Sequence, residues 1–235
     1  IESQGARDDI DIFVGSDHGF STISQRGDVV ADLRADGFPV ERIVAAGGNL
    51  YLRDAAADLE TPLVRSLQDH PAVAQVFTPR GSSGTLSLRD VLIDHAESAP
   101  RVVFAAVWSD SVNEFGVAGT TVGGSSVASH GSLSPFDMHN LLVAAGPRFK
   151  SGLHSDTPSG NVDIAPTVVH LLGVKAVPTF DGHVLHEALA DGRPADGLEV
   201  TRQEVRSVTS DGTDRQRLES LRVGQTRYVS GISVG

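Results

Sequence analysis

The sequence predicts an α/β fold: a central, mostly parallel sheet flanked by helices, with a small α+β lid inserted into it. Three observations predict it. The apolar runs Asp11-Ile12-Phe13-Val14 and Leu141-Leu142-Val143-Ala144-Ala145 are bounded by glycine or proline, as strands covered on both faces are. Helical segments with clear start and stop signals stand between them, as where Thr61-Pro62 opens a run carrying Leu63, Val64 and Leu67 on one face. The stretch Gly15-Ser16-Asp17-His18-Gly19-Phe20-Ser21-Thr22 then sets a carboxylate beside an imidazole at the end of the first strand. Ligands of open α/β sheets bind at such strand ends.

The chain opens, from Ile1, like the tail of a helix. The strand over Asp11 to Val14 follows, and Gly19 allows the sharp turn after it. Asp28 to Asp36 is helix-like, and Arg42 to Arg53 is strand-like with a break at Gly47-Gly48-Asn49. The helix opened by Thr61 stops at Pro71, and Val73 to Phe77 is a short strand. Ser87 and Asp90 form a capping box that starts another helix through His95. Arg101 to Trp108 is an apolar strand, and Phe115 to Ser129 reads as a long polar loop delivering the chain to His130-Gly131. Leu141 to Ala145 is a buried strand stopped by Gly146-Pro147. Asp163 is the N-cap of a helix over Ile164 to Leu172, with Pro166 in its first turn and Gly173 after its end. From Glu199 the polar and apolar residues alternate, as in an edge hairpin. The organisation is therefore an α/β body over 1–23 and 101–195, an inserted α+β lid over 24–100, and a C-terminal edge hairpin and tail over 196–235.

Composition narrows the function classes. With 235 residues, 40% of them hydrophobic, the chain can build one large core or a core plus a subdomain. The net charge of −11, from 30 acidic and 19 basic residues without a basic cluster, excludes duplex nucleic acid as a partner. No window approaches a membrane span. A bound divalent metal would supply the positive centre that a negatively charged small substrate needs. The absence of cysteine excludes disulfides and thiolate zinc sites within the chain.

Asp17 and His18 are the leading candidate metal ligands. Read on spacing alone, Asp17 also suits a turn-capping residue and His18 a histidine bonded to a carbonyl. His130 is a loop histidine whose place before Gly131 and an apolar strand makes it a further candidate ligand. His139, in Met138-His139-Asn140, suits packing or hydrogen bonding beneath the site. His70 and His170 fall near helix C-termini, where imidazolium is favoured. His183 and His186 have an i, i+3 spacing but no third ligand nearby. Thr120, Thr121, Ser125 and Ser126 have no adjacent base to make one of them a nucleophile.

In order, Ser16-Asp17-His18-Gly19, then Ser129-His130-Gly131 with Met138-His139-Asn140 and Ala145-Gly146-Pro147, then Asp163-Ile164-Ala165-Pro166-Thr167 running to Leu172-Gly173, resemble the C-terminal half of the alkaline phosphatase superfamily. The branch they resemble is that of the type I phosphodiesterases and nucleotide pyrophosphatases. The resemblance spans about Asp9 to Val174. It implies an alkaline-phosphatase-like fold and hydrolysis of phosphodiester or pyrophosphate bonds in a small phosphate ester or nucleotide. It also implies two divalent metal ions, zinc by donor type, with Asp17 and His18 on one and His130 on the other, and His139 behind the ligands. The family's Thr or Ser nucleophile, its first Asp ligand and its Asp-x-x-x-His pair lie upstream of the Ser-Asp-His-Gly strand. None of them occurs in the sixteen residues before Asp17. The resemblance thus implies that the catalytic nucleophile lies in an upstream half of the same polypeptide, and that this chain alone is inactive. Within the superfamily, phosphonate hydrolase, sulfatase and phosphomonoesterase activities are alternatives, and a non-catalytic metal- or phosphate-binding module is the rival of another class.

Overall fold

Among the described residues strand outnumbers helix, 35% against 22%, in small mixed and antiparallel sheets, and this overturns the expectation of a helix-flanked, mostly parallel central sheet. The computed structural model describes residues 10–53, 57–82, 84–95, 97–175, 179–208 and 214–231; the helix tail expected at Ile1 lies outside them. In chain order the elements are β1 (Ile12–Gly15), β2 (Ser21–Gln25), α1 (Val29–Ala35), β3 (Ile43–Ala46), β4 (Asn49–Leu52), α2 (Glu60–Gln68), β5 (Val73–Thr78), β6 (Leu86–Ser87), β7 (Val102–Ala106) and β8 (Trp108–Val112). Then follow β9 (Ala118–Val122), β10 (Ala128–Ser129), α3 (Pro135–Met138), β11 (Leu142–Ala145), α4 (Ile164–Leu171), β12 (Val200–Val208), β13 (Asp214–Val223) and β14 (Thr226–Gly231).

The chain divides into two units. The first takes in 10–17, 140–203 and 220–229; the second takes in 18–139, 204–219 and 230–231. The C-terminal strands pair in the order β12-β13-β14.

In the first unit β1 and β11 form an antiparallel pair, with Phe13 opposite Ala144 and Val14 opposite Val143. Both were expected to be covered on both faces. Instead one face of the pair is open, with Ile12 38%, Val14 53% and Val143 47% exposed. A four-residue apolar run does not distinguish a strand buried on both faces from one buried on one. Phe13 points the other way and packs edge-on against Phe149, ring centroids 5.1 Å apart. Helix α4 starts near the expected residue and ends before Gly173, whose φ of +65° only glycine adopts without strain. Asp163 stands at its N-cap position as expected, but its side chain makes no capping bond to the helix: a 3-10 turn over Asn161–Asp163 precedes the helix, and the carboxylate accepts from the Gly160 N–H at 2.8 Å.

In the second unit a five-stranded sheet runs β3-β4-β7-β5-β6 and a four-stranded one β10-β2-β9-β8. The break at Gly47-Gly48 is a tight turn, so β3 and β4 pair as an antiparallel hairpin. Parallel pairing, which needs a crossover, joins β2 with β9 and β5 with β6. The core lies on the larger sheet, where α1 and α2 pack. Leu63, Val64 and Leu67 of α2 are buried with Leu50, Val76 and Val102, each side chain contributing about 1.5–3 kcal/mol. Asp28 caps α1, its Oδ1 accepting from the N–H groups of Val30 and Ala31. The capping box of Ser87 and Asp90 is present but opens only a 3-10 turn over Leu88–Val91. Leu92 ends it at φ 63°, short of the expected His95.

The stretch read as one long polar loop, Phe115 to Ser129, contains β9 and β10. Thr120 and Thr121, at 8% and 4% exposure, sit in β9 between β2 and β8. Threonine is β-branched and suits a strand, and the Thr121 hydroxyl finds the Val107 carbonyl at 2.9 Å. Composition hid the strand because these residues are polar.

Candidate functional site

In the second unit the chain leaves His18 through Gly19 and Phe20 into β2, and leaves β10 into His130. These two segments bring together imidazoles that are far apart in sequence. The rings of His18 and His130 stack with centroids 3.6 Å apart and planes 18° from parallel. Phe20 stands edge-on to both, at 4.9 Å and 5.5 Å. His18 Nδ1 donates to the Gly19 carbonyl at 2.8 Å, so in the neutral ring the lone pair lies on Nε2.

A buried carboxylate ties the two segments down. Asp137, 3% exposed, accepts from the Ser21 hydroxyl at 2.6 Å on Oδ1, and from the Ser132 hydroxyl at 2.6 Å and the Ser132 N–H at 2.9 Å on Oδ2. Ser21 opens the strand after His18, and Ser132 follows His130-Gly131, so one side chain fixes both approaches. Ser134 caps the short helix α3, accepting from the Asp137 N–H at 3.1 Å, with Pro135 in the first turn. Gly19 is needed for space and not for an unusual backbone angle: a Cβ there would stand 1.9 Å from the Phe136 carbonyl oxygen. His139, expected beneath the site, is exposed, and its N–H donates to the Pro135 carbonyl at 2.9 Å.

Asp17 ends the first segment of the first unit and is exposed. There the backbone at the end of β1 is held by two asparagines. Asn140 Nδ2 donates to the Ser16 carbonyl at 2.6 Å, and Asn161 Nδ2 to the Ser16 and Asp17 carbonyls at 3.2 Å and 3.0 Å.

A metal ion lies in the plane of the imidazole that binds it. Two rings stacked nearly parallel therefore address two points and not one. The carbonyl bond on His18 Nδ1 is the type of contact that orients a ligating histidine through its other nitrogen. Among the described residues no group of three or more His, Asp or Glu is arranged to hold an ion. The two imidazoles of the second unit thus present donors toward two separate points.

His130 also lines a cavity of about 900 Å³ that lies wholly in the second unit. Its walls are apolar at Val29, Val30 and Phe104 and polar at Arg26 and Ser125.

A second polar cluster stands in the first unit. The Tyr228 hydroxyl donates to Asp163 Oδ2 at 2.8 Å and lies 2.7 Å from His183 Nδ1, which is 3.3 Å from Asp163 Oδ1. The His183 N–H donates to the same carboxylate at 2.8 Å. Burial disfavours the charge on Asp163, yet the bonds from His183, Tyr228 and Gly160 outweigh it and hold the carboxyl below the usual range. The Asp163 hydrogen bond raises His183 above its ordinary value, against its own burial. Burial, with Asp163 beside it, pushes the Tyr228 phenol up, so it stays neutral. The i, i+3 pair is not on one helix: His183 belongs to this cluster, whereas His186 starts a 3-10 turn and meets His170 edge-on at 4.9 Å.

Sequence reasoning missed Asp137, Arg26, Asn161 and the Asp163–His183–Tyr228 cluster. A signal existed for the first: Ser134-Pro135-Phe136-Asp137 has the spacing of a capping box with proline at the first helical position. Asn161 and the Asp163–His183–Tyr228 cluster had none, because their partners are distant in sequence. No family model, curated protein or solved structure matches the chain.

Proposed function

We infer that the chain is part of a metal-dependent hydrolase of phosphodiester or pyrophosphate bonds, acting on a small phosphate ester or nucleotide. The observation that carries the reading is the stacked pair of His18 and His130, held by Asp137. These are two of the three residues that the ordered motifs nominate as ligands, and they offer a donor to each of two neighbouring positions. Two divalent ions, zinc by the nitrogen and carboxylate donors, would polarise the phosphoryl oxygens and stabilise the charge of attack and departure. Asp17 is proposed as the carboxylate ligand beside His18; the exposed His139 is given no part behind the ligands. The nucleophile is proposed to lie in an upstream half of the same polypeptide. The open apolar face of Ile12, Val14 and Val143 supports that partner, since a soluble protein rarely leaves such a strip uncovered.

The test is made on the complete polypeptide. Metal content by mass spectrometry should fall when His18 or His130 is replaced by alanine, and turnover of bis(4-nitrophenyl) phosphate should fall at least 100-fold with it. Chelation should stop turnover and zinc should restore it. Unchanged metal content in both variants would sink the reading, as would turnover indifferent to chelation.

A further inference from the structure

We propose that the cavity in the second unit binds the carbon body of an organic phosphate, with Arg26 taking its anionic group. The inference rests on the hydrolase reading only for the word phosphate; the cavity and its lining are independent of it. Volume comes first. About 900 Å³ lies near the upper end of the range for sites that hold drug-sized organic molecules, so an inorganic oxyanion alone would leave nearly all of it empty.

Lining decides the chemistry. Val29, Val30, Ala45, Ala72, Phe104 and Ala106 offer an apolar wall, against which a flat aromatic or alkyl group gains by losing water. Facing the cavity are two ionisable side chains besides His130. Asp28 is already engaged, with Oδ1 accepting from two N–H groups of α1. Arg26 is exposed and takes part in no ion pair among the described residues, which leaves its five donors for a ligand. In a chain of net charge −11, Arg26 is an arginine without an ion-pair partner at the rim of an apolar cavity, and it balances the charge of Asp28 there. The Gly123 and Gly124 N–H groups donate to the carbonyls of Gln25 and Gly27, so they fix the shape of the wall and do not bind the anion. His130, which stacks on His18, lines the same cavity.

The ligand class is therefore an aryl or alkyl phosphate ester, and the discriminating probes are phenylphosphonate and methylphosphonate, which turnover does not consume. Titration calorimetry on the complete polypeptide should show phenylphosphonate binding about 10-fold or more tightly, since its ring buries apolar area that the methyl group lacks. Arg26→Gln should weaken both probes by roughly 10-fold. Ala45→Phe, at an exposed lining position where the added ring intrudes on the cavity without crossing the core, should weaken phenylphosphonate and spare methylphosphonate. Equal affinity for the two probes, or indifference to both substitutions, would overturn the proposal. Failure of the hydrolase reading looks different: phenylphosphonate would still bind through Arg26 while His130→Ala left metal content unchanged.

Discussion

The Ser21 hydroxyl donates to Asp137 Oδ1 at 2.6 Å across 116 positions of sequence, a contact buried within the second unit. The other carboxylate oxygen serves Ser132, so Asp137 is the point where the approaches to His18 and His130 are joined. Asp137→Ala leaves two buried hydroxyls and a buried N–H without their acceptor, at a cost of about 3 kcal/mol in urea unfolding. Asp137→Asn keeps one acceptor oxygen and should lose less than half as much. A loss below about 0.5 kcal/mol for the alanine variant would show that the serines find other partners.

Gly19→Ala places a methyl group within 1.9 Å of the Phe136 carbonyl, where the backbone must move. The expected cost is about 3 kcal/mol, with the His18 ring resonances displaced in NMR spectra. Gly27→Ala is the control: nothing stands within 4 Å of its Cβ, and its stability should change by less than about 0.5 kcal/mol. Equal effects at the two positions would refute the close-packing account of Gly19.

The Asp163–His183–Tyr228 cluster makes stability depend on pH. Asp163 titrates below its ordinary value, so its contribution is present above about pH 4 and is lost as the pH falls through the folded-state pKa. His183 titrates above its ordinary value, so its contribution is full below about pH 6.5 and is lost as the pH rises through the folded-state pKa. Both are present together between about pH 4 and 6.5, and the melting temperature should decline from pH 6 to 8. In His183→Gln that decline should flatten, as calorimetry at several pH values would reveal. A slope identical to that of the parent would remove His183 as its origin. Tyr228→Phe deletes a hydrogen bond to a carboxylate and should cost about 2 kcal/mol at pH 6.

The open face of β1 and β11 predicts self-association of the 235-residue chain when it is made alone. Val14→Thr with Val143→Thr should shift sedimentation toward monomer with little change in melting temperature. If the proposed upstream half covers the strip, the same pair should be destabilising in the complete polypeptide by at least 1 kcal/mol, because Val to Thr then buries a hydroxyl. A monomeric parent chain, or no cost in the complete polypeptide, would count against that partner.

What the sequence by itself determined is local. The positions of α1, α2 and α4, the hairpin turn at Gly47-Gly48, the capping box at Ser87 and the stop at Gly173 follow from caps, breakers and the 3.6-residue period, all of which act within a few residues. Tertiary structure decided what needs partners. Whether Ile12–Gly15 is central or half-open depends on what covers it, and a short apolar run carries no record of that. The sheets are mixed and antiparallel because strand pairing is chosen by long-range contacts, and Thr120 and Thr121 become a strand only between β2 and β8. Asp163 has the sequence context of a helix cap, yet its carboxylate belongs to His183 and Tyr228, 20 and 65 positions away. The stacking of His18 on His130 is of the same kind. Each imidazole was visible as a candidate, but their meeting at 3.6 Å depends on Asp137 gathering Ser21 and Ser132, a contact that exists only once the chain has folded.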